Sequence, residues 1–180
     1  MEYLITYEQL TEKIERFDKR IEQLAQGDDY KEDVARLRCF IGIETHTALS
    51  IIAEVGDFKR FADADKFASY LGLTPGEDTS SDNQNRLGIT KAGNQHLRRL
   101  LTESAQCYGR GQTGYKSKAL KARQFGNPTE VIAYADKANE RLRRKYYKMV
   151  LNGKHKNTAK TAIARELACF IWGMMTNNIA

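Results

Sequence analysis

LRCFIGIETHTALSIIAEVGD, residues 37–57, sets an apolar-Gly-apolar turn (Ile41-Gly42-Ile43) between two stretches of helical pattern. In the second stretch Ala48, Leu49, Ile52 and Val55 fall on one side, and Gly56 closes it. This is the layout of a helix-hairpin-helix. Such hairpins hold DNA without reading its sequence, because backbone N–H groups at the second helix's start face a phosphate with the helix dipole behind them. The glycine permits the close approach. On this reading Gly42, Ile43 and Thr45 belong to a nucleic-acid contact. The same pattern also describes two helices packing through a small turn. Glu44 stands where a second glycine is expected, and its carboxylate opposes a phosphate.

Upstream, Tyr3, Tyr7, Leu10, Ile14, Phe17, Ile21 and Leu24 alternate at spacings of four and three, a heptad seam with charges between. Thr6 with Gln9, and Asp29 with Glu32, have the form of capping boxes. Three heptads are short for a free coiled coil, so the seam pairs with the next helix or with a second copy of the chain. Residues 1–37 therefore read as a helical assembly element.

Downstream, Asp63 caps a short helix carrying Phe67, Tyr70 and Leu71. Residues 73–89 hold Pro75, the polar run GEDTSSDNQN and Gly88, with no apolar periodicity. They predict a long loop, and long loops in compact domains carry function. Helices are then expected from about Thr90 through Tyr108, near Ser117–Gln124, from Asn127-Pro128 to Leu151, and over 157–176. No strand is predicted. The expected fold is all-α, with an antiparallel N-terminal helical pair (1–37) and a helical domain (38–180).

Composition limits the function. Residues 1–85 carry 10 Lys+Arg against 18 Asp+Glu, while residues 86–180 carry 19 against 5, which sums to the net +6. A C-terminal half at +14 repels itself unless something anionic offsets it, and a nucleic-acid backbone is the common partner. Solvated helix faces are the alternative. Cys39, Cys107 and Cys169 have no metal-ligand spacing and read as apolar thiols in a reducing compartment. His46, His96 and His155 share no spacing. No metal site and no cofactor are expected from this chain. The charged N-terminus is no signal peptide, and the apolar run near the C-terminus is broken by Arg165 and Glu166, so a cytoplasmic protein is expected.

Two further segments can carry chemistry. Ser80-Ser81 lies between Pro75 and the basic stretch Arg86 to Lys91. A serine hydroxyl can attack a phosphodiester once a base takes its proton and cations steady the transition state, although serine pairs in loops are commonly only loop residues. The run RLRRKYYKMVLNGKHKNTAK, residues 141–160, interleaves Arg143, Arg144, Lys145 and Lys148 with Tyr146 and Tyr147. It reads as a phosphate-contacting face with stacking groups, or as a solvated face over two core tyrosines.

The order IGIETHTALSIIAEVGDFKRF, KFASYLGLTP, SS, RLGITKAGNQHLRRLLTESA resembles the C-terminal transposase domain of the insertion-sequence-110 (110/116/902) family, RNA-guided DNA recombinases. The resemblance covers about residues 5–176. It implies that a serine after the GLTP segment is the nucleophile, joined covalently to DNA. The matching position is Ser80, with Ser81 the alternative. It implies that Arg86, Lys91, Arg98 and Arg99 hold the DNA or RNA backbone, and that a structured guide RNA is a partner. Homo-oligomerisation through the N-terminal helices is expected alongside. Full-length members carry an N-terminal ribonuclease-H-like domain that binds magnesium, so Mg2+ is expected only with that domain. Where family members follow the serine with glycines and a basic residue, this chain has Ser81-Asp82-Asn83-Gln84. The alternative function is a non-catalytic DNA- or RNA-binding and oligomerisation module.

Overall fold

Val34 and Leu37 sit on one side of α2 (Lys31–Leu37), and Ala48, Leu49, Ile51, Ile52 and Val55 on one side of α3 (Thr45–Val55). The apolar spacing requires both helices to bury that side, and they pack against each other. The computed structural model of the chain describes residues 1–80 and 83–179. After α3 come α4 (Ala64–Tyr70), strands β1 (Pro75–Ser80) and β2 (Asn83–Ile89), then α5 (Gln95–Ala105), α6 (Lys118–Gln124), α7 (Thr129–Leu151) and α8 (Lys156–Met175). The fold is all-α apart from that one hairpin. α8 is the central beam. Ala159, Ile163, Leu167 and Ile171 along it are buried, and α4, α5 and α7 pack around it. A continuous apolar core joins these helices, with Tyr108, Phe40 and Phe67 its largest fully enclosed side chains. No helix among the described residues is long and apolar enough to cross a membrane.

The first helix, α1 (Glu2–Ala25), reaches this body only at its end. Ala25 is buried, Ile21 is half-buried, and the contact is with α3. From Tyr3 to Phe17 its heptad seam finds no cover among the described residues: Tyr3 is 94% exposed and Phe17 57%. α2 is only seven residues long and cannot cover a 24-residue seam. Neither expected capping box forms. α1 begins at Glu2, so Thr6 lies inside the helix and donates to the Glu2 carbonyl at 3.0 Å. α2 begins after Tyr30 with no side-chain cap. The other caps follow ordinary chemistry: Asp63, Asn94 and Ser117 accept from the Lys66, Leu97 and Leu120 amides. α5 thus starts at Gln95, five residues beyond the expected Thr90.

The expected loop over 73–89 is a β-hairpin. β1 and β2 pair antiparallel, with Pro75 opposite Ile89 and Ser80 opposite Asn83, and an irregularity between Pro75 and Glu77. No hydrophobic alternation marks these strands, because both run through polar sequence instead of covering a core. Backbone pairing holds them, and it continues below the strands. The Thr90 amide donates to Thr74 at 2.9 Å and the Lys91 amide to Gly72 at 3.2 Å. Gly93 allows this join. A Cβ there would overlap the Tyr70 carbonyl oxygen, and its φ is +147°.

Candidate nucleic-acid interface

The hairpin stands with its foot against α8. Leu73 and Pro75 on one leg, Gly88, Ile89 and Lys91 on the other, and Asn157, Thr158, Thr161, Ala162 and Arg165 from α8 enclose a cleft of about 720 Å³, with Lys145 of α7 at its edge. The walls are apolar (Leu73, Pro75, Ile89, Ala162), and among the described residues the charged lining groups are Lys91, Lys145 and Arg165, with no carboxylate. Lys91 is held at φ +56°, a conformation costing roughly 1 kcal/mol for a residue with a Cβ. Ser80 ends β1, five residues beyond Pro75, about 17 Å along the strand from the cleft. Ser81 lies outside the described residues.

A smaller hollow adjoins the cleft, lined by Asp65, Arg141, Lys145, Arg165, Glu166 and Cys169. Here the cations meet their counter-ions. Lys145 reaches Glu166 at 2.5 Å, Arg141 bonds the other carboxylate oxygen, and Arg165 meets Asp65 at 2.8 Å. Burial pushes the Glu166 carboxyl up, but the bonds from Lys145 and Arg141 outweigh it and hold the group below the usual carboxylate range. The Arg165 Nε is buried and has no acceptor among the described residues.

The candidate residues separate into groups. Lys91 and Lys145 meet at the cleft. Lys148 and Arg144 are exposed on the same helix as Lys145, and Arg144 pairs with Glu140 one turn away. Arg99 is exposed and faces Glu103 at 3.7 Å. Arg98 is half-buried and donates to the Leu71 carbonyl at 2.9 Å, closing the end of α4. Arg86 lies on β2.

Arg143 corrects the sequence reading. It is 7% exposed and donates to the Gln112 and Tyr115 carbonyls at 2.7 and 3.2 Å, so it ties down the 110–116 connection. It sits one residue from Arg144 but lies about 100° around α7 from it, which is enough to turn one side chain inward and the other to solvent.

The turn at 41–45 corrects it too. Ile43 is wholly buried and Thr45 is 7% exposed. Gly42 has φ +81°, and a Cβ there would overlap the Ser104 carbonyl oxygen and crowd Cys107. Its close backbone approach is made to α5, so packing accounts for the glycine, while Glu44 and His46 at the start of α3 are exposed. Asn139 of α7 completes the lock. Its amide oxygen accepts from the Ile41 amide at 2.9 Å and the Tyr108 hydroxyl at 2.8 Å, and its nitrogen donates to Cys39 at 3.1 Å. Glu44, which opposes a phosphate, is ion-paired with Arg123.

Asn157, Thr158, Thr161 and Arg165 were not expected at a site. Their signal is the 157/161/165 spacing of four, a polar stripe beside the apolar one on α8. Of the thiols, Cys39 is buried, while Cys107 and Cys169 are half-buried. Among the described residues no three His, Cys, Asp or Glu side chains lie close enough to share a metal ion.

Residues 34–122, which span the buried turn, both legs of the hairpin and α5, match the Transposase IS116/IS110/IS902 family. Protein y4qE of Sinorhizobium fredii is 37% identical over 141 residues, 78% of this chain and 36% of that protein. The transposase for insertion sequence element IS1533 of Leptospira borgpetersenii is 34% identical over 137 residues, 75% of this chain and 39% of that protein. The transposase for IS1328 of Yersinia enterocolitica is 28% identical over 170 residues, 94% of this chain and 43% of that protein. The likeness is to the class of insertion-sequence transposases. The chain belongs to the IS116/IS110/IS902 family of them, and it spans about two fifths of the length of these relatives.

Proposed function

We propose that this chain is the serine-bearing segment of a transposase that exchanges DNA phosphodiesters, with Ser80 as nucleophile and the cationic cleft as part of the grip on the nucleic-acid backbone. The observation that carries this reading is the hairpin itself: Ser80 ends one strand, and the foot of the same hairpin walls a cleft lined with Lys91, Lys145 and Arg165. In the reaction the Ser80 Oγ attacks phosphorus and loses its proton. One deoxyribose oxygen leaves and takes up a proton as a free hydroxyl. The resulting phosphoserine ester is then attacked by the hydroxyl of another DNA end, which restores serine and reseals a strand. Cations near the phosphoryl oxygens stabilise the five-coordinate transition state. Lys91, Arg99, Arg144, Lys145 and Lys148 supply the backbone grip, shared with a guide RNA, and a ribonuclease-H-like domain supplies the metal-binding part. The exposed α1 seam pairs with a second copy of the chain, since burying Tyr3, Tyr7, Leu10, Ile14 and Phe17 removes a long apolar strip from water.

The test is a covalent-adduct assay with labelled DNA, the ribonuclease-H-like domain being supplied. An adduct that disappears in Ser80→Ala and persists in Ser81→Ala is expected. Loss in Ser81→Ala alone moves the nucleophile by one residue. Salt-sensitive binding with no adduct in any form leaves a non-catalytic binding module and overturns the enzyme reading.

A further inference from the structure

We infer that the cleft between the hairpin foot and α8 receives one unstacked nucleotide, its base among Leu73, Pro75, Ile89 and Ala162 and its phosphate at Lys91, Lys145 and Arg165. The inference rests on the reading that this surface grips nucleic acid, and it adds a defined pocket for a base. A surface that only follows a phosphate backbone needs cations and no apolar hole. Here the cations rim a hole of about 720 Å³, a size within the range of small-molecule sites. Its apolar lining comes from the two hairpin legs and from α8, the kind of surface that takes up an unstacked base. The polar groups lie where a base edge and a phosphate differ in need. Asn157, Thr158 and Thr161 line the first two turns of α8, and Asn157 carries both a donor and an acceptor in its side chain. The Arg165 side chain is 41% exposed, and its guanidinium offers a charged N–H to a phosphate oxygen. Among the described residues no carboxylate lines the cleft itself, and since Lys145 and Arg165 also meet Glu166 and Asp65 in the adjoining hollow, a phosphate there shares those two cations. A single-stranded or distorted segment fits best, because a base already unstacked does not have to be pulled from a duplex.

The experiment compares two single-stranded DNA oligonucleotides of equal length, one with bases throughout and one abasic at its central positions. Binding to the chain is measured by fluorescence anisotropy at two salt concentrations. The base-containing strand is expected to bind about tenfold tighter, the size expected from burying part of one base's apolar surface among aliphatic side chains. In Ala162→Leu, and separately in Thr161→Leu, that ratio is expected to fall to about one, with circular dichroism checking that each variant is folded. A central 2-aminopurine should show altered emission with the unmodified chain and lose that change in both filled variants. Equal affinity for the two strands, together with a steep salt dependence, overturns the pocket while leaving the backbone grip standing. Absence of salt-dependent binding to either strand overturns both.

Discussion

Replacing Gly42 by alanine separates the two readings of the turn between α2 and α3. If the turn met a phosphate, the added methyl would weaken nucleic-acid binding and leave stability nearly unchanged. The packing predicts the reverse. Gly42 has φ +81°, where a residue with a Cβ loses roughly 1 kcal/mol. The new Cβ would also overlap the Ser104 carbonyl oxygen and lie 3.2 Å from the Cys107 Cβ. A helix carbonyl cannot rotate away as a side chain can, so the turn or α5 must move. Overpacking of this kind costs about 1–3 kcal/mol. Together the two effects come to about 3 kcal/mol, which in a chain of this length lowers the melting temperature by roughly 6–12 °C. Thermal unfolding followed by circular dichroism reads the shift, and anisotropy with a labelled oligonucleotide at a temperature where both proteins are folded reads binding. A Gly42→Ala protein that melts within 2 °C of the parent (roughly 1 kcal/mol) and binds tenfold more weakly would refute the packing argument and return the turn to the nucleic-acid surface.

Asn139→Leu leaves the Ile41 amide and the Tyr108 hydroxyl without their acceptor in a dry interior, so chemical denaturation should report a loss of about 2–4 kcal/mol. Glu166 has its pKa held below the usual range, so its contribution is complete above the unfolded-state value and is lost as pH falls through the folded-state value. The unfolding free energy of Glu166→Gln should therefore lie about 1 kcal/mol below the parent's at pH 7 and converge with it as the carboxyl protonates in acid. Lys91→Ala and Lys148→Ala should each reduce the log–log salt slope of single-strand binding by about 0.7, whereas Arg143→Ala should lower the melting temperature and leave the slope alone. Burial pushes the Cys39 thiol up to about 11, so alkylation of the native protein at pH 8 should spare Cys39 and consume it once denaturant is added.

Periodicity carried most of the helical fold because each helix buries one side, and burial writes a 3.6-residue pattern into composition. Asp63 and Ser117 marked true helix starts for a similar reason: a cap is a local bond between a side chain and an amide three residues on; Pro128 marked another because its ring fixes φ and its missing N–H costs nothing at a helix start. The hairpin left no such trace. Its strands are joined by backbone groups that every residue type possesses, and polar sequence on both faces shows no alternation. The GLTP and ITKAGN segments that frame the polar run turned out to be paired legs, joined by the Thr74–Thr90 and Gly72–Lys91 bonds. Charge behaved likewise. The basic half was plain in the composition, but Arg143 and Arg144 are neighbours in the chain with opposite fates, one tying down carbonyls and the other in solvent.

The amino-acid order settled the helix content, the family and the excess of cations behind residue 85, since each is a sum or a spacing along one chain. It left open which glycine approaches a ligand and which approaches a neighbouring helix, because Gly42 has the same local pattern in either case. The cleft belongs wholly to the folded chain: Lys91, Lys145 and Arg165 stand up to 74 residues apart in sequence. They are brought together only because α8 packs beside the foot of a hairpin. Long-range packing of that kind depends on shape and burial summed over many side chains, and no short stretch of sequence contains it.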